Sequence, residues 1–172
     1  MATPDYRLYS LEEYPIEAIE KLTIGIIRTE WNEDIVSRLE ESCKSALLEL
    51  GITTDHILSY TVPGSYELPM GAKLMLNSIH KPDAVICLGC VIQGATKHDD
   101  YINHTTARAI SQIGLISNKP VIFGVLTTNT KEQALERAGG SHGDKGLESA
   151  HAALKMISLK EQLNNQGTKI SF

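Results

Sequence analysis

The sequence predicts an α/β three-layer sandwich, a central parallel four-stranded sheet with helices on both faces. Three observations predict it. Apolar runs of strand length alternate with helical periodicities from residue 22 onward, the arrangement of a parallel sheet with crossover helices. The run Ala84–Ile92 is nine residues bounded by Asp83 and Gln93, as in a strand buried on both faces. A chain of 172 residues, 42% hydrophobic and 22% charged, suits one domain with a real core.

Each element follows in order. Residues 1–21 are polar and weakly patterned and read as an N-terminal arm; residues 22–172 form the single domain. A strand is expected at Leu22–Arg28. Asn32 is a good N-cap for a helix whose apolar positions Ile35, Leu39, Cys43, Leu47 and Leu50 step by threes and fours until Gly51. The second strand is Ile57–Val62, broken by Pro63-Gly64. Leu68, Ala72, Met75 and Ile79 mark the next helix, stopped before Pro82. The third strand is Ala84–Ile92, and a helix beginning near Asp99 or Asp100 carries Ile102, Thr106, Ala109, Ile110 and Ile113. Pro120–Leu126 is the fourth strand. Thr130 with Gln133 makes a capping box for a short helix ending at Gly139-Gly140, and Leu147, Ala150, Leu154 and Ile157 mark the last one.

Composition excludes several classes. A net charge of −5 leaves no electrostatic footprint for nucleic acid. No apolar run approaches the roughly 20 residues of a membrane span, and Glu12, Glu13, Glu17 and Glu20 interrupt any leader-like pattern. Three cysteines without secretory context fit a reducing cytosol, so a cytoplasmic protein is expected. Cys87 and Cys90 form a C-x-x-C, but on a strand positions three apart face opposite sides of the sheet, which makes them two core thiols rather than a redox pair. No second metal-spaced pair accompanies them, so no metal site is expected.

Ligands of parallel sheets bind beyond the carboxyl ends of the strands. Those ends are Thr29–Asn32, Pro63–Glu67, Gln93–His98 and Thr127–Asn129. The third carries the most chemistry. Gly94-Ala95-Thr96 offers backbone N–H groups and a hydroxyl to an oxyanion, and the following helix aims its positive dipole end at the same place. Gly89 and Gly94 have the spacing of a nucleoside-triphosphate loop, but Ala95 stands where its lysine belongs. His98 sits beside the anion cradle, and an imidazole there suits proton transfer on a phosphorylated substrate. His56, His80, His104, His142 and His151 have no motif partner and read as surface or packing residues.

Four segments at these positions carry a family resemblance. Val62-Pro63-Gly64-Ser65-Tyr66-Glu67-Leu68-Pro69 resembles V-P-G-[AS]-[FY]-E-[LI]-P, and Leu88 to His98 resembles L-G-x-V-I-x-G-x-T-x-H. Pro120 to Thr127 resembles P-V-I-F-G-[VL]-L-T, and Glu132 to Gly139 resembles E-Q-A-x-x-R-A-G. Together they are similar to the lumazine synthases, from Thr23 to about Ile157.

The resemblance implies a flavodoxin-like fold and a transferase that condenses 5-amino-6-(D-ribitylamino)uracil with 3,4-dihydroxy-2-butanone 4-phosphate to 6,7-dimethyl-8-ribityllumazine, with no cofactor. It implies that Trp31 stacks on the pyrimidine, that Ser65, Tyr66 and Glu67 hold the ribityl chain, and that Cys90, Val91 and Ile92 present backbone to the uracil edge. It assigns the butanone phosphate to Ala95, Thr96 and Arg137, whose guanidinium fork suits phosphate, with Lys145 nearby. Proton transfer falls to His98, and Phe123 closes the site of a neighbouring subunit. The partners implied are the two small-molecule substrates, further copies of the chain in a homopentamer or a sixty-subunit icosahedral shell, and riboflavin synthase.

The chain departs from the family pattern in four places. Trp31 stands where phenylalanine is commoner, Tyr66 replaces phenylalanine, Gln93 replaces Arg or Lys, and Asp99 occupies an often aromatic position. None of these touches His98, Thr96 or Arg137. Residues 137–146 keep the short, glycine-rich form of the shell-forming members, with Ser141 in place of a common lysine; Gly139, Gly140 and Gly143 are expected to take the positive φ of a tight turn. A second reading is a module that holds a flavin-like ligand on Trp31, against which an intact phosphate clamp argues.

Overall fold

The computed structural model describes residue 16 and residues 18–167. Most of the expected arm therefore lies outside the described residues; Ile19–Lys21 form a short 3-10 turn. The fold is a four-stranded parallel sheet, formed by β1 (Ile24–Thr29), β2 (Ile57–Val62), β3 (Ala84–Ile92) and β4 (Val121–Thr128) in the spatial order β2-β1-β3-β4. The helices are α1 (Glu33–Glu49), α2 (Leu68–Leu76), α3 (His98–Ser117), α4 (Lys131–Glu136) and α5 (Lys145–Gly167).

β3 organises the core because it is central and apolar on both faces. Ala84, Ile86, Leu88 and Cys90 point to one side, where they pack in a cluster with Ile35, Leu39 and Leu47 of α1 and Ala150 and Leu154 of α5. Val85, Cys87 and Val91 point to the other, against Leu68 and Met75 of α2 and Ile110 of α3. Cys87 and Cys90 thus lie on opposite faces, as the period of a strand requires. Burial pushes the Cys87 thiol up to about 12 and Cys90 up to about 11, so neither ionises near neutral pH.

The helices cross the sheet closely where glycine permits it. An added Cβ on Gly71 of α2 would come within 2.8 Å of Ile27 on β1 and 2.9 Å of Val62 on β2. Among the described residues no helix is long and apolar enough to cross a membrane.

Several expectations about element ends are corrected by tertiary contacts. The first strand begins at Ile24, after Thr23 N–H has turned to Asp83 Oδ2 at 2.9 Å. α2 stops at Leu76 rather than Ile79, because the chain must reverse through Lys81 (φ 43°) to enter β3, which leaves Ile79 91% exposed. β4 runs on to Thr128, since Thr127 and Thr128 pair with Val91 and Ile92. Thr130 does cap α4, accepting from Gln133 N–H at 3.3 Å, while Gln133 Oε1 accepts from Asn129 N–H at 2.9 Å. That helix ends at Glu136, ahead of an antiparallel hairpin, β5 (Ala138–Gly140) with β6 (Gly143–Asp144), which the periodicities do not show. Gly139 and Gly143 take positive φ (90° and 96°), as expected of the turn. Gly140 serves a different need: an added Cβ would lie 2.6 Å from Glu136 Cα, so the constraint is contact rather than φ.

Candidate functional site

The order β2-β1-β3-β4 reverses direction between β1 and β3, and the crevice beyond the carboxyl ends of those two strands is where such sheets hold ligands. A cavity of about 720 Å³ opens there. Its walls come from four separate stretches of chain. Trp31 and Asn32 follow β1; Gly64, Ser65, Tyr66 and Glu67 follow β2; Cys90, Val91, Ile92 and Gly94 end β3; Thr96, His98, Asp99 and Ile102 lead into α3.

Each wall is held by identifiable contacts. Ser65 is buried, its carbonyl accepts from Thr106 Oγ1 of α3 at 3.1 Å, and its hydroxyl lies where a Cβ on Gly89 would be, 2.9 Å away. Gly89 in mid-strand therefore makes room for the loop after β2. Glu67 closes a one-turn 3-10 helix, Ser65–Glu67, that runs into α2. Trp31 (74% exposed) and Tyr66 (61%) stand at the rim with aromatic faces free to cover a flat ligand. Among the described residues no cluster of three or more His, Cys, Asp or Glu could hold a metal ion.

α3 begins at His98, one residue earlier than expected, so the imidazole belongs to the first turn of a 20-residue helix. The loop before it, Gln93 to Lys97, is exposed. Gly94 has no positive φ, and a Cβ built on it would meet nothing within 4 Å. Neither conformation nor packing calls for glycine there. What glycine leaves is bare backbone beside Thr96 and a helix N-terminus, an arrangement suited to an anion. Ala95 lies in the same loop but does not line the cavity.

Two expected site residues sit elsewhere in the chain. Phe123, in β4, lines a separate groove of about 550 Å³ between α3, β4 and α5. Arg137 lies between α4 and the hairpin and is not part of the cavity wall. Its guanidinium makes a bidentate pair with Glu148, Nη1 to Oε1 at 2.9 Å and Nη2 to Oε2 at 3.1 Å, and donates to the His142 carbonyl at 2.6 Å. Lys145 Nζ donates to Glu148 Oε2 at 2.8 Å. Burial raises the Glu148 carboxyl, but the bonds from Arg137 and Lys145 outweigh it and hold Glu148 below the usual carboxylate range. The result is a compact cluster of two cations on one anion, with net positive charge.

Asn32 was expected as a side-chain N-cap, and it is not one. It adopts the left-handed conformation (φ 57°, ψ 46°), makes no side-chain cap bond, and sends its Nδ2 to the Cys90 carbonyl at 2.9 Å. It lines the cavity, and no local sequence signal separates this use from capping. Gly64 and Ile102 are also lining residues that the motif reading did not single out.

The family model described as 6,7-dimethyl-8-ribityllumazine synthase matches residues 21–161. The chain is 49% identical to the 6,7-dimethyl-8-ribityllumazine synthase of Cytophaga hutchinsonii over 142 residues, 83% of this chain and 89% of that one. It is 42% identical to the protein of the same name from Phocaeicola vulgatus over 163 residues, covering 95% and 96% of the two chains. A protein of that name from Flavobacterium psychrophilum is 40% identical over 164 residues, 95% of this chain and 86% of its own.

Proposed function

This chain belongs to the 6,7-dimethyl-8-ribityllumazine synthase family, and from that premise we propose how its cavity performs the family's reaction. The enzyme is a transferase of riboflavin biosynthesis that condenses 5-amino-6-(D-ribitylamino)uracil with 3,4-dihydroxy-2-butanone 4-phosphate, releasing phosphate and water. The observation that carries the site assignment is the convergence, in one cavity, of an aromatic face at Trp31, the Ser65–Glu67 turn, the end of β3, and His98 beside a bare-backbone loop.

In this reading Trp31 covers the pyrimidine, and the ends of Cys90, Val91 and Ile92 meet its polar edge. Ser65, Tyr66 and Glu67 receive the ribityl hydroxyls, for which a carboxylate and backbone groups are suitable acceptors and donors. Thr96, the backbone of its loop through Gly94 and Ala95, and the start of α3 hold the phosphate, although the Ala95 side chain itself does not line the cavity. The 5-amino group adds to the butanone carbonyl and water leaves to give an imine; phosphate is then eliminated, and ring closure with loss of water completes the lumazine. His98 moves the protons these steps require. Most of the acceleration comes from holding amine and ketone side by side, since both react readily once oriented.

Phe123 and Arg137 lie outside the cavity of their own chain, so they reach a site only across an interface. An edge strand and an apolar groove support such an interface: among the described residues β4 has no partner on its outer side, and Leu115 (80% exposed) and Leu163 (60%) flank the groove that holds Phe123. The Arg137–Glu148–Lys145 cluster then presents its excess positive charge to the phosphate of a neighbour. Homopentamers, twelve of which close into a sixty-subunit shell in the cytoplasm and associate with riboflavin synthase, complete the reading. Light scattering of the purified protein is expected to show at least five chains per particle and, with the short 137–146 turn, a megadalton shell. An active monomer would contradict the shared site.

The function is tested by mixing the two substrates with the protein and following the fluorescence of the lumazine. Arg137→Ala is expected to raise KM for the butanone phosphate about tenfold or more, the loss of a charge-assisted pair of at least roughly 1.5 kcal/mol, with KM for the pyrimidine little changed. An unaltered KM for the phosphate substrate removes Arg137 from the clamp.

A further inference from the structure

We propose that Asn32 is a positioning residue for the pyrimidine side of the site, acting through its hydrogen bond to the Cys90 carbonyl. The proposal rests on assigning the cavity to the ribitylaminouracil. It starts from an apparent waste: an asparagine at the start of a helix, where its side chain would ordinarily accept from the first turn, turns away and crosses to a residue 58 positions on.

The bond joins the two strand ends that make the switch-point crevice. On one side is the loop after β1; on the other is the end of β3, whose residues Cys90, Val91 and Ile92 line the cavity. The loop is tied to its sequence neighbours by backbone. Trp31 is 74% exposed, and its carbonyl accepts from Thr29 Oγ1 at a long 3.3 Å. Glu30 N–H donates to the Val62 carbonyl at 3.0 Å, which ties the residue before the indole to β2, and the Asn32 carbonyl accepts from Ile35 and Val36 N–H at 2.9 Å, which ties the residue after it to α1; neither reaches β3. Asn32 supplies the tie to β3 through its amide. Its left-handed backbone sets the direction in which Trp31 leaves the chain, and asparagine enters that conformation more readily than most residues.

The bond also sets what β3 shows to a ligand. A carbonyl has two lone pairs, and one of those on Cys90 is taken. Asn32 thereby fixes the tilt of that carbonyl and keeps its own amide in the cavity wall. Trp31 above and Cys90 beside the pyrimidine are held in register by a single amide.

Two substitutions separate this role from backbone tolerance. Asn32→Gly adopts the left-handed conformation without cost but has no amide, and Asn32→Asp keeps the shape but cannot donate. Both are expected to raise KM for the ribitylaminouracil about fivefold to tenfold, the size of one neutral hydrogen bond, and to leave KM for the butanone phosphate within twofold. Trp31 is the chain's single tryptophan, so the indole itself reports without substrate: its fluorescence anisotropy is expected to fall in both variants. A glycine variant with unchanged KM values and anisotropy overturns the proposal, because only the backbone conformation then matters. Equal rises in both KM values with a lowered Tm overturn it as well, since the whole site has then loosened. If the anisotropy falls while the unsubstituted protein forms no lumazine, the bridge stands and the functional assignment fails.

Discussion

Replacing His98 with alanine is expected to lower kcat about 100-fold, the usual contribution of a positioned acid–base group. His98 opens α3 and lines the cavity, next to the loop proposed to hold phosphate. A histidine there can take a proton from the attacking amine and give one to the departing oxygen, both within reach of the same substrate. The side chain is exposed and not part of either core cluster, so its removal is expected to leave Tm unchanged and both KM values close to those of the unsubstituted enzyme. Asparagine at the same position keeps some hydrogen bonding without titrating and is expected to fall as far as alanine. Full kcat in either variant shows that orientation alone carries the reaction and that His98 has no chemical part in it.

Gly146→Ala is expected to be the most destabilising single methyl in the fold. In an ordinary helix the change gains about 1 kcal/mol of propensity. Here α5 meets α1 with no room at all: a Cβ on Gly146 would collide with the Leu39 carbonyl oxygen and with Ser42 Oγ. Neither can step aside. The carbonyl belongs to the α1 backbone, and Ser42 Oγ is engaged with Asp144 Oδ1 at 2.7 Å, the same oxygen that accepts from Gly146 and Leu147 N–H at 2.9 and 3.1 Å. The clash therefore outweighs the propensity gain, and the net loss is expected to exceed about 3 kcal/mol, the upper end of overpacking costs. That corresponds to roughly 6–12 °C in Tm for a chain of this size, measured at fixed protein concentration. An unchanged Tm would mean that α1 and α5 separate freely. The consequence reaches the Arg137–Glu148 pair, because Lys145 N–H donates to the Arg137 carbonyl at 2.9 Å.

The parts of the fold that were legible beforehand are those governed by local pattern. β2 and β3 fall where the sequence places them, at Ile57–Val62 and Ala84–Ile92: β3 because a strand buried on both faces has no choice of side chain at either parity, and β2 because Pro63-Gly64 ends its run. The same parity put Cys87 and Cys90 on opposite faces, and Thr130 with Gln133 caps α4 because both ends of that interaction lie within one turn. The strand-end rule and the order of motifs pointed to the crevice before any coordinate did, and Trp31, Ser65, Tyr66, Glu67, Cys90, Val91, Ile92, Thr96 and His98 do line one cavity there.

What only the tertiary structure decided concerns groups whose partners are far away in the chain. Asn32 has the same side chain whether it caps a helix or bridges to Cys90, and only the approach of β3 to β1 makes the bridge available. Gly140 and Gly146 look like turn and helix-start residues, yet one answers to contact with Glu136 and the other to a second helix, neither of which leaves a periodicity. Arg137 is legible as a guanidinium suited to phosphate, but its pair with Glu148 forms only when the fold brings α5 beside it, and the separate groove that Phe123 lines exists only once α3, β4 and α5 pack together. Hydrophobic spacing determines elements because burial acts on each residue separately. Hydrogen bonds and steric limits act on pairs, so their outcome waits for the fold that forms the pair.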